Sequence, residues 1–156
     1  MMRLKNLLLA TVISPESLIV LAIFALSGYF PLELQTLGES IRSDAEIWKY
    51  LPGLTVLFST TAIGYSSKIR APLENSSNKK LYEWPHYPLL VDRVYVSFFF
   101  AIGSGGIGLW LWFFGKTLSA SNVGVVFLAS TLVSGTTALT MLLAHQRLRE
   151  LINTHS

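Results

Sequence analysis

The stretch from Leu89 to Lys116 constrains the fold more than any other part of this chain. Between Arg93 and Lys116 it holds 22 consecutive residues without a charged side chain. At 1.5 Å per helical residue, such a run extends about 33 Å, enough to cross a bilayer hydrocarbon core of about 30 Å. The stretch therefore predicts a membrane-spanning helix.

The composition of the whole chain agrees with that prediction. Hydrophobic residues make up 51% of the 156 residues and charged residues only 13%, whereas an ordinary soluble domain is typically about 25% charged. The chain has no cysteine, which excludes disulfides and thiolate metal sites. Its net charge of +3 is dispersed around apolar stretches, so we attribute it to membrane topology and expect no direct binding of nucleic acid.

Four apolar stretches predict an all-α membrane protein, a four-helix transmembrane bundle. The predicted spans are residues 15–30, 51–66, 94–115 and 123–144, and residues 67–93 form a long polar loop. Ser14 and Pro15 have the character of a helix N-cap and first helical residue. Residues 31–50 are an acidic connection, long enough for a short helix at the surface.

The amino-terminal residues imitate a signal peptide, with Arg3 and Lys5 preceding an apolar run. No A-x-A-type cleavage site follows, and Ser14 to Ser17 interrupts the run, so we expect it to be retained. The stretch Leu4 to Ile13 is then either an interfacial helix or the first half of a broken span.

The basic residues predict the orientation. Nine of the twelve Lys and Arg residues lie before the first span, in the loop 67–93 or after the last span, and only three lie in the other two connections. Cytoplasmic segments of membrane proteins carry an excess of Lys and Arg, which is the positive-inside rule. Four spans with both termini in the cytoplasm satisfy this rule at every crossing.

Small residues recur on three of the predicted spans. In lipid, such residues allow close approach of helix backbones where no hydrophobic force drives association. The candidate packing residues are Thr60, Gly64, Gly103, Ser104, Gly105, Gly106, Gly108, Ser130 and Ser134. These small-residue faces are more extensive than helix packing within one protomer requires, so we predict a homo-oligomer.

Three ionisable residues lie at or within the spans, namely Glu16, Asp92 and Arg93. A carboxylate inside a span costs about 2.5 to 3.5 kcal/mol on insertion scales and commonly marks a proton, ion or substrate path. Alternatively, Glu16 lies in the first turn of its helix, where it complements the helix dipole, and Asp92 and Arg93 form an interfacial pair.

A single carboxylate in the first of four spans resembles the layout of the small multidrug resistance transporters, which exchange protons for cationic drugs. This chain departs from them in its long acidic connection and its long cytoplasmic loop. We therefore do not carry their mechanism over.

No catalytic or metal-binding pattern is present in the sequence. His86, His145 and His155 lie in separate segments, and none has a ligand-type residue three or four positions after it. Neither a phosphate-binding loop nor a nucleophile elbow is present. We predict no metal, no cofactor and no enzymatic activity.

Aromatic and basic residues on the cytoplasmic side predict a protein-binding surface. The candidate residues are Tyr82, Trp84, His86, Tyr87, Arg147 and Arg149. A few Trp and Tyr side chains commonly dominate a protein interface. The same rings could instead anchor the chain at the lipid headgroups, and the arginines could meet anionic lipids.

These features together favour an interaction protein that senses or anchors at the bacterial inner membrane and docks a soluble cytoplasmic partner. The four-span layout, with the Tyr82–Pro88 stretch on the cytoplasmic side, resembles the membrane component of the Kiwa antiphage system. That resemblance implies recruitment of a cytosolic effector and a role in antiphage defence. The alternatives are a small proton-coupled transporter or channel that uses Glu16, and a membrane immunity protein against a toxin.

Overall fold

A computed structural model describes residues 11–12, 14–70 and 79–154, and all regular structure in these ranges is helical. The helices are α1 (Pro15–Tyr29), α2 (Pro31–Ser43), α3 (Ala45–Arg70), α4 (Lys79–Tyr82), α5 (Tyr87–Phe114) and α6 (Ala120–Thr154), with a 3₁₀ turn at Gly115–Thr117. The predicted all-α class is confirmed for this part of the chain. The stretch Leu4 to Ile13 and the polar loop after Arg70 fall mostly outside the described residues.

Local capping explains where two of the helices begin. The Ser14 side chain accepts a hydrogen bond of 3.0 Å from the amide of Ser17, and Pro15 occupies the first turn of α1, as the sequence predicts. Asp44 caps α3 by accepting bonds from the amides of Glu46 and Ile47, at 2.8 and 3.0 Å. As a result α3 begins six residues before the predicted span and already contains Pro52.

The three long helices α3, α5 and α6 pack together and enclose two apolar clusters. One cluster comprises Ala62, Ile69, Val94, Ala101, Ala138 and Met141, and the other comprises Ile41, Trp48, Leu51, Leu111 and Val123. The second lies near α2 and the 3₁₀ turn, at what we call the α2 end. The first extends toward α4 and the start of α5, at what we call the α4 end.

The contact between α3 and α5 depends on small residues. A Cβ atom at Gly105 would lie 2.7 Å from Ser59 Oγ, and one at Gly108 would collide with the Thr55 side chain. Thr55 and Ser59 are buried here, so the polar face of α3 is turned inward against α5. The glycines therefore permit the close approach that small residues provide between membrane helices.

The packing face of α3 differs from the one that the sequence analysis assigned to it. Thr60 and Gly64 are exposed, and nothing lies within 4 Å of a Cβ atom built at Gly64. The reason is helical phase, because Thr55, Ser59, Ala62 and Ser66 share the inward face, on which Thr60 and Gly64 do not lie. A contact of Thr60 and Gly64 with a second copy of the chain stays a prediction.

The acidic connection folds as α2, which is bent by 105° from α1 and packs along the beginning of α6. Gly38 of α2 and Gly124 of α6 meet closely, and a Cβ atom at either would collide with a backbone carbonyl of the other helix. Arg42 then donates to the carbonyl oxygens of Leu118 and Lys116, at 3.0 and 3.1 Å. The connection is thus packed on α6 and tied to the turn that precedes it.

In the part of the chain that the structure describes, two helical stretches are long and apolar enough to cross a membrane, Tyr87–Thr117 and Ala120–Glu150, each with a mean hydropathy of 1.7. The bent pair α1 and α2 would be a third if it forms one span. Lengths and composition of these helices are those of a membrane protein.

The glycine contact between α2 and α6 predicts a stability difference between two matched substitutions. We expect Gly38→Ala to destabilise the fold by about 1–3 kcal/mol, because the added methyl group meets the Ala120 carbonyl and α2 must move. Gly64→Ala adds the same methyl group in open space within α3 and should leave stability unchanged or slightly raised. Thermal unfolding of the detergent-solubilised chain measures the stability of both variants. Equal unfolding temperatures for Gly38→Ala and Gly64→Ala would contradict the close contact between α2 and α6.

Candidate functional site

A buried ion pair joins α1 to α5. Arg93 Nη2 donates to both carboxylate oxygens of Glu16, at 2.9 and 2.7 Å. Ser97, one turn further along α5, places its hydroxyl 3.4 Å from Glu16 Oε1. The Glu16 side chain is fully buried, whereas that of Arg93 is 32% exposed.

Local sequence positions both members of the pair. Ser14 and Pro15 start α1 so that Glu16 lies in its first turn, where a negative charge also complements the helix dipole. Arg93 lies on the second turn of α5, after the helix start that Pro88 favours. The pair therefore fixes the beginning of α1 against the beginning of α5, at the α4 end.

The ion pair changes how Glu16 and its neighbours are interpreted. The sequence analysis offered an interfacial pair of Asp92 with Arg93, whereas in the structure the Arg93 guanidinium bonds to the Glu16 carboxylate. The oxygens of this buried carboxylate therefore find their partners in a guanidinium and a hydroxyl of α5. Glu16 is thus a structural clamp between two helices in this conformation.

Asp92 lies elsewhere, on the wall of a cavity between α1, α5 and α6. The cavity has a volume of about 640 Å³, and the Asp92 side chain is largely buried. Most of the wall is apolar, and Ser104 and Ser130 are also part of it. Neither Glu16 nor Arg93 lines it.

The aromatic segment Tyr82–Tyr87 forms a compact turn at the α4 end. The Tyr82 hydroxyl donates to the carbonyl oxygen of Arg70 at 3.3 Å, and its ring meets Tyr87 edge to face with centroids 5.3 Å apart. The rings of Trp84 and His86 meet in the same way at 5.4 Å. Backbone amides of Trp84 and Tyr87 donate to the carbonyls of Leu81 and Trp84, at 3.2 and 3.0 Å, and Tyr82, Trp84 and His86 remain exposed, so the turn presents three rings outward.

Basic residues lie near this segment at the same end of the bundle. The guanidinium of Arg70 lies 5.9 Å from the Tyr95 ring, and the ammonium of Lys68 lies 5.3 Å from the Tyr65 ring. On α6, Arg147 pairs with Glu150 at 3.3 Å, and Arg149 is exposed. The structure thus brings Arg147 and Arg149 to the same end of the bundle as the aromatic segment.

The predicted packing residues divide into two groups. Ser104, Gly105, Gly108, Ser130 and Ser134 are buried between helices. Gly103 and Gly106 are exposed, like Thr60 and Gly64, and meet no atom within 4 Å of a Cβ position. Five of the nine small residues therefore build the bundle, and four lie on its surface.

Sequence reasoning missed the pairing of Glu16 with Arg93 and the role of Ser97. A weak signal was present, because Arg93 and Ser97 are one turn apart on a helix and can face one neighbour. Sequence spacing did not identify that neighbour.

Within the described residues no three His, Cys, Asp or Glu side chains are grouped as a metal would require. Comparisons of the chain with protein families, with curated proteins and with solved structures found no match. The functional interpretation therefore depends on the arrangement of these residues.

The different burial of Glu16 and Arg93 predicts an asymmetry between substitutions. Arg93→Met leaves a fully buried carboxylate without its partner and should cost about 3–5 kcal/mol of stability. Glu16→Gln keeps a hydrogen-bonding group of the same shape and leaves a partly exposed arginine, so it should cost about 1.5–3 kcal/mol. Thermal unfolding in detergent measures both costs.

The double variant Glu16→Gln with Arg93→Met is the control for this ion pair. We expect it to be more stable than Arg93→Met alone, because no buried charge remains. If Arg93→Met is tolerated as well as Glu16→Gln, the pair does not hold α1 to α5.

Proposed function

We propose that the protein is a membrane-embedded interaction protein that docks a soluble partner at its α4 end. The observation that carries this proposal is the aromatic segment, in which the Tyr82 hydroxyl donates to the Arg70 carbonyl while Tyr82, Trp84 and His86 stay exposed. Preorganised aromatic side chains bind at a low entropic cost, because their positions are already fixed before the partner arrives. Exposed aromatic side chains that are already held in place are typical of a protein docking site.

The charge around the segment indicates the chemistry of the partner. Lys68, Arg70, Arg147 and Arg149 lie at the same end, and all four are exposed. A partner with an apolar pocket for Trp84 and an acidic rim would match this surface. Complementary charge of this kind speeds association and selects the partner.

The proposed topology has four membrane crossings, with α1, α3, α5 and α6 each crossing once and α2 lying at the outer face. The 26 residues of α3 extend about 39 Å, which is long enough to cross. Its polar residues do not oppose this placement, because the hydroxyls of Thr55, Thr61 and Ser66 bond to carbonyls of their own helix. The α4 end then carries the basic residues and lies in the cytoplasm.

The exposed small residues support a homo-oligomer in the bilayer. Gly103 and Gly106 on α5, and Thr60 and Gly64 on α3, leave room for a close approach by a second copy. Multiple copies would present several aromatic segments on one side of the membrane, so a multivalent partner would bind more tightly than a single segment allows.

We place this protein in the bacterial inner membrane, with antiphage defence as the biological setting that the layout suggests. A transporter that uses Glu16 is a weaker proposal, because Arg93 and Ser97 hold this carboxylate away from the cavity wall. Proton exchange there would first require the ion pair to break.

Substitution in the aromatic segment tests the docking proposal. The double variant Trp84→Ala with His86→Ala removes two exposed rings and leaves the bond from Tyr82 to Arg70 in place. We expect it to weaken capture of a stoichiometric soluble protein by about tenfold or more, since truncation of an interface Trp typically costs about 2 kcal/mol. Affinity capture from mild detergent with quantitative mass spectrometry provides the measurement.

The matched control changes two exposed rings at the opposite end, Tyr50→Ala with Trp110→Ala. This control should retain the partner. Loss of the partner in both double variants, or recovery of copies of this chain alone from the unsubstituted protein, would contradict docking at the aromatic segment.

The absence of cysteine in the sequence allows a direct test of the topology. A single cysteine at Thr117→Cys should react with a membrane-impermeant maleimide on intact cells, because the turn lies at the α2 end. Glu83→Cys should react only after the membrane is permeabilised. Labelling of Glu83→Cys in intact cells would reverse the proposed orientation.

A further inference from the structure

A smaller cavity lies at the α2 end, between the start of α3 and the 3₁₀ turn that follows α5. It has a volume of about 410 Å³, and we call it the lysine pocket. Its lining residues are Ala45, Trp48, Lys49, Trp112, Phe113 and Lys116. The lining thus combines two ammonium groups with three aromatic rings and contains no carboxylate.

Packing holds the two lysines beside one another. The Trp48 ring lies against the 3₁₀ turn so closely that a Cβ atom at Gly115 would be 2.8 Å from Trp48 Cη2. The guanidinium of Arg42 donates to the carbonyl oxygen of Lys116 at 3.1 Å and fixes the same turn. Because Trp48 directly precedes Lys49, these contacts bring both lysines to one pocket before any ligand binds.

The ammonium groups of the lysine pocket have aromatic neighbours but no ion-pair partner. Lys49 Nζ lies 5.4 Å from the centroid of the Tyr50 ring, and Lys116 Nζ lies 5.7 Å from that of Trp48. Among the described residues, no carboxylate oxygen is within ion-pair distance of either nitrogen. A ring face attracts a cation without accepting its N–H bonds as a carboxylate does, so these donors remain for an anion.

The acidic residues closest along the chain do not line the lysine pocket. Asp44 Oδ1 accepts hydrogen bonds from the amides of Glu46 and Ile47 and caps α3. Glu46 is exposed, so water and salt screen its charge. The pocket therefore keeps a local excess of positive charge within an acidic connection.

Both lysines lie at one boundary of the proposed membrane crossings. Lys116 ends the uncharged run of 22 residues on α5, and Lys49 precedes the predicted span 51–66. Tryptophan is enriched at lipid headgroup depth, and Trp48 and Trp112 line the same pocket. An anion at this depth is supplied by the phosphates of the surrounding lipids.

Apolar surface continues beside the ammonium groups. The Phe113 side chain is 67% exposed, and its ring meets the Trp112 ring with centroids 4.8 Å apart. An acyl chain can lie on these rings, whereas a soluble anion would leave them uncovered. The combination of cations and apolar rings thus favours a lipid over a free anion.

We propose that the lysine pocket binds the headgroup of an anionic phospholipid. Its phosphodiester accepts hydrogen bonds from the ammonium groups of Lys49 and Lys116, and its acyl chains lie along Phe113. This site depends on the membrane placement proposed above and is independent of docking at the aromatic segment. A zwitterionic choline lipid fits less well, because both lysines repel its quaternary ammonium group.

Native mass spectrometry of the full chain released from detergent tests the proposal with two lipids that have the same acyl chains. We expect dipalmitoyl phosphatidylglycerol to bind about tenfold more tightly than dipalmitoyl phosphatidylcholine. Lys49→Gln with Lys116→Gln should abolish this difference and leave binding of the choline lipid unchanged. Lys49→Arg with Lys116→Arg keeps both charges and should retain the preference.

The matched control is Lys79→Gln with Lys80→Gln, which removes the same two charges on α4, at the opposite end. This variant should keep the preference for phosphatidylglycerol. Equal loss in the two Gln double variants would show that only the net charge matters and would overturn the lysine pocket as the site. Equal binding of the two lipids by the unsubstituted protein would overturn it as well, without affecting the proposal for the aromatic segment.

Glycerol 3-phosphate distinguishes a lipid from a soluble phosphate, because it carries the phosphate without acyl chains. At the concentration used for phosphatidylglycerol it should leave the bound fraction of that lipid unchanged. Displacement of the lipid by glycerol 3-phosphate would overturn the assignment of the pocket to a phospholipid.

Discussion

The structure depends on one constraint, that polar groups within a bilayer must find their partners inside the protein. Water cannot satisfy them there, and each group left without a partner costs several kcal/mol. In helix α3 the hydroxyls of Thr55, Thr61 and Ser66 bond to carbonyls of their own helix. Glu16 finds its partners in Arg93 and Ser97. The same physical requirement therefore accounts for polar contacts inside α3 and for the contact between α1 and α5.

The small residues follow from a related constraint. Apolar side chains gain little by leaving lipid for a helix interface, so association depends on close van der Waals contact and hydrogen bonds. Gly105 and Gly108 bring α5 onto the polar face of α3, and Gly38 with Gly124 brings α2 onto α6. Where a glycine has no such partner, as at Gly103 and Gly106, it leaves a gap or an open surface. One residue type thus builds the bundle at some positions and leaves space at others.

The proposed docking site lies at the α4 end of the bundle. Three exposed rings are presented there by the turn of the aromatic segment, and exposed basic residues lie at the same end. This segment leads directly into α5, which Pro88 helps to start. A partner on the aromatic segment would accordingly act on the beginning of one of the two long apolar helices.

The sequence by itself determined the class of this protein, because composition and runs of apolar residues depend on neither contacts nor geometry. It also located the start of α1 at Ser14 and Pro15, since capping is local. It placed Gly105, Gly108, Ser104 and Ser130 among packing residues but could not separate them from Thr60, Gly64, Gly103 and Gly106. Only the tertiary structure decided that division, the pairing of Glu16 with Arg93 across 77 residues and the cavity between α1, α5 and α6. The physical reason is that helical phase and the choice of neighbour are set by which faces pack in three dimensions, and a single sequence specifies spacing along a helix without specifying its partner.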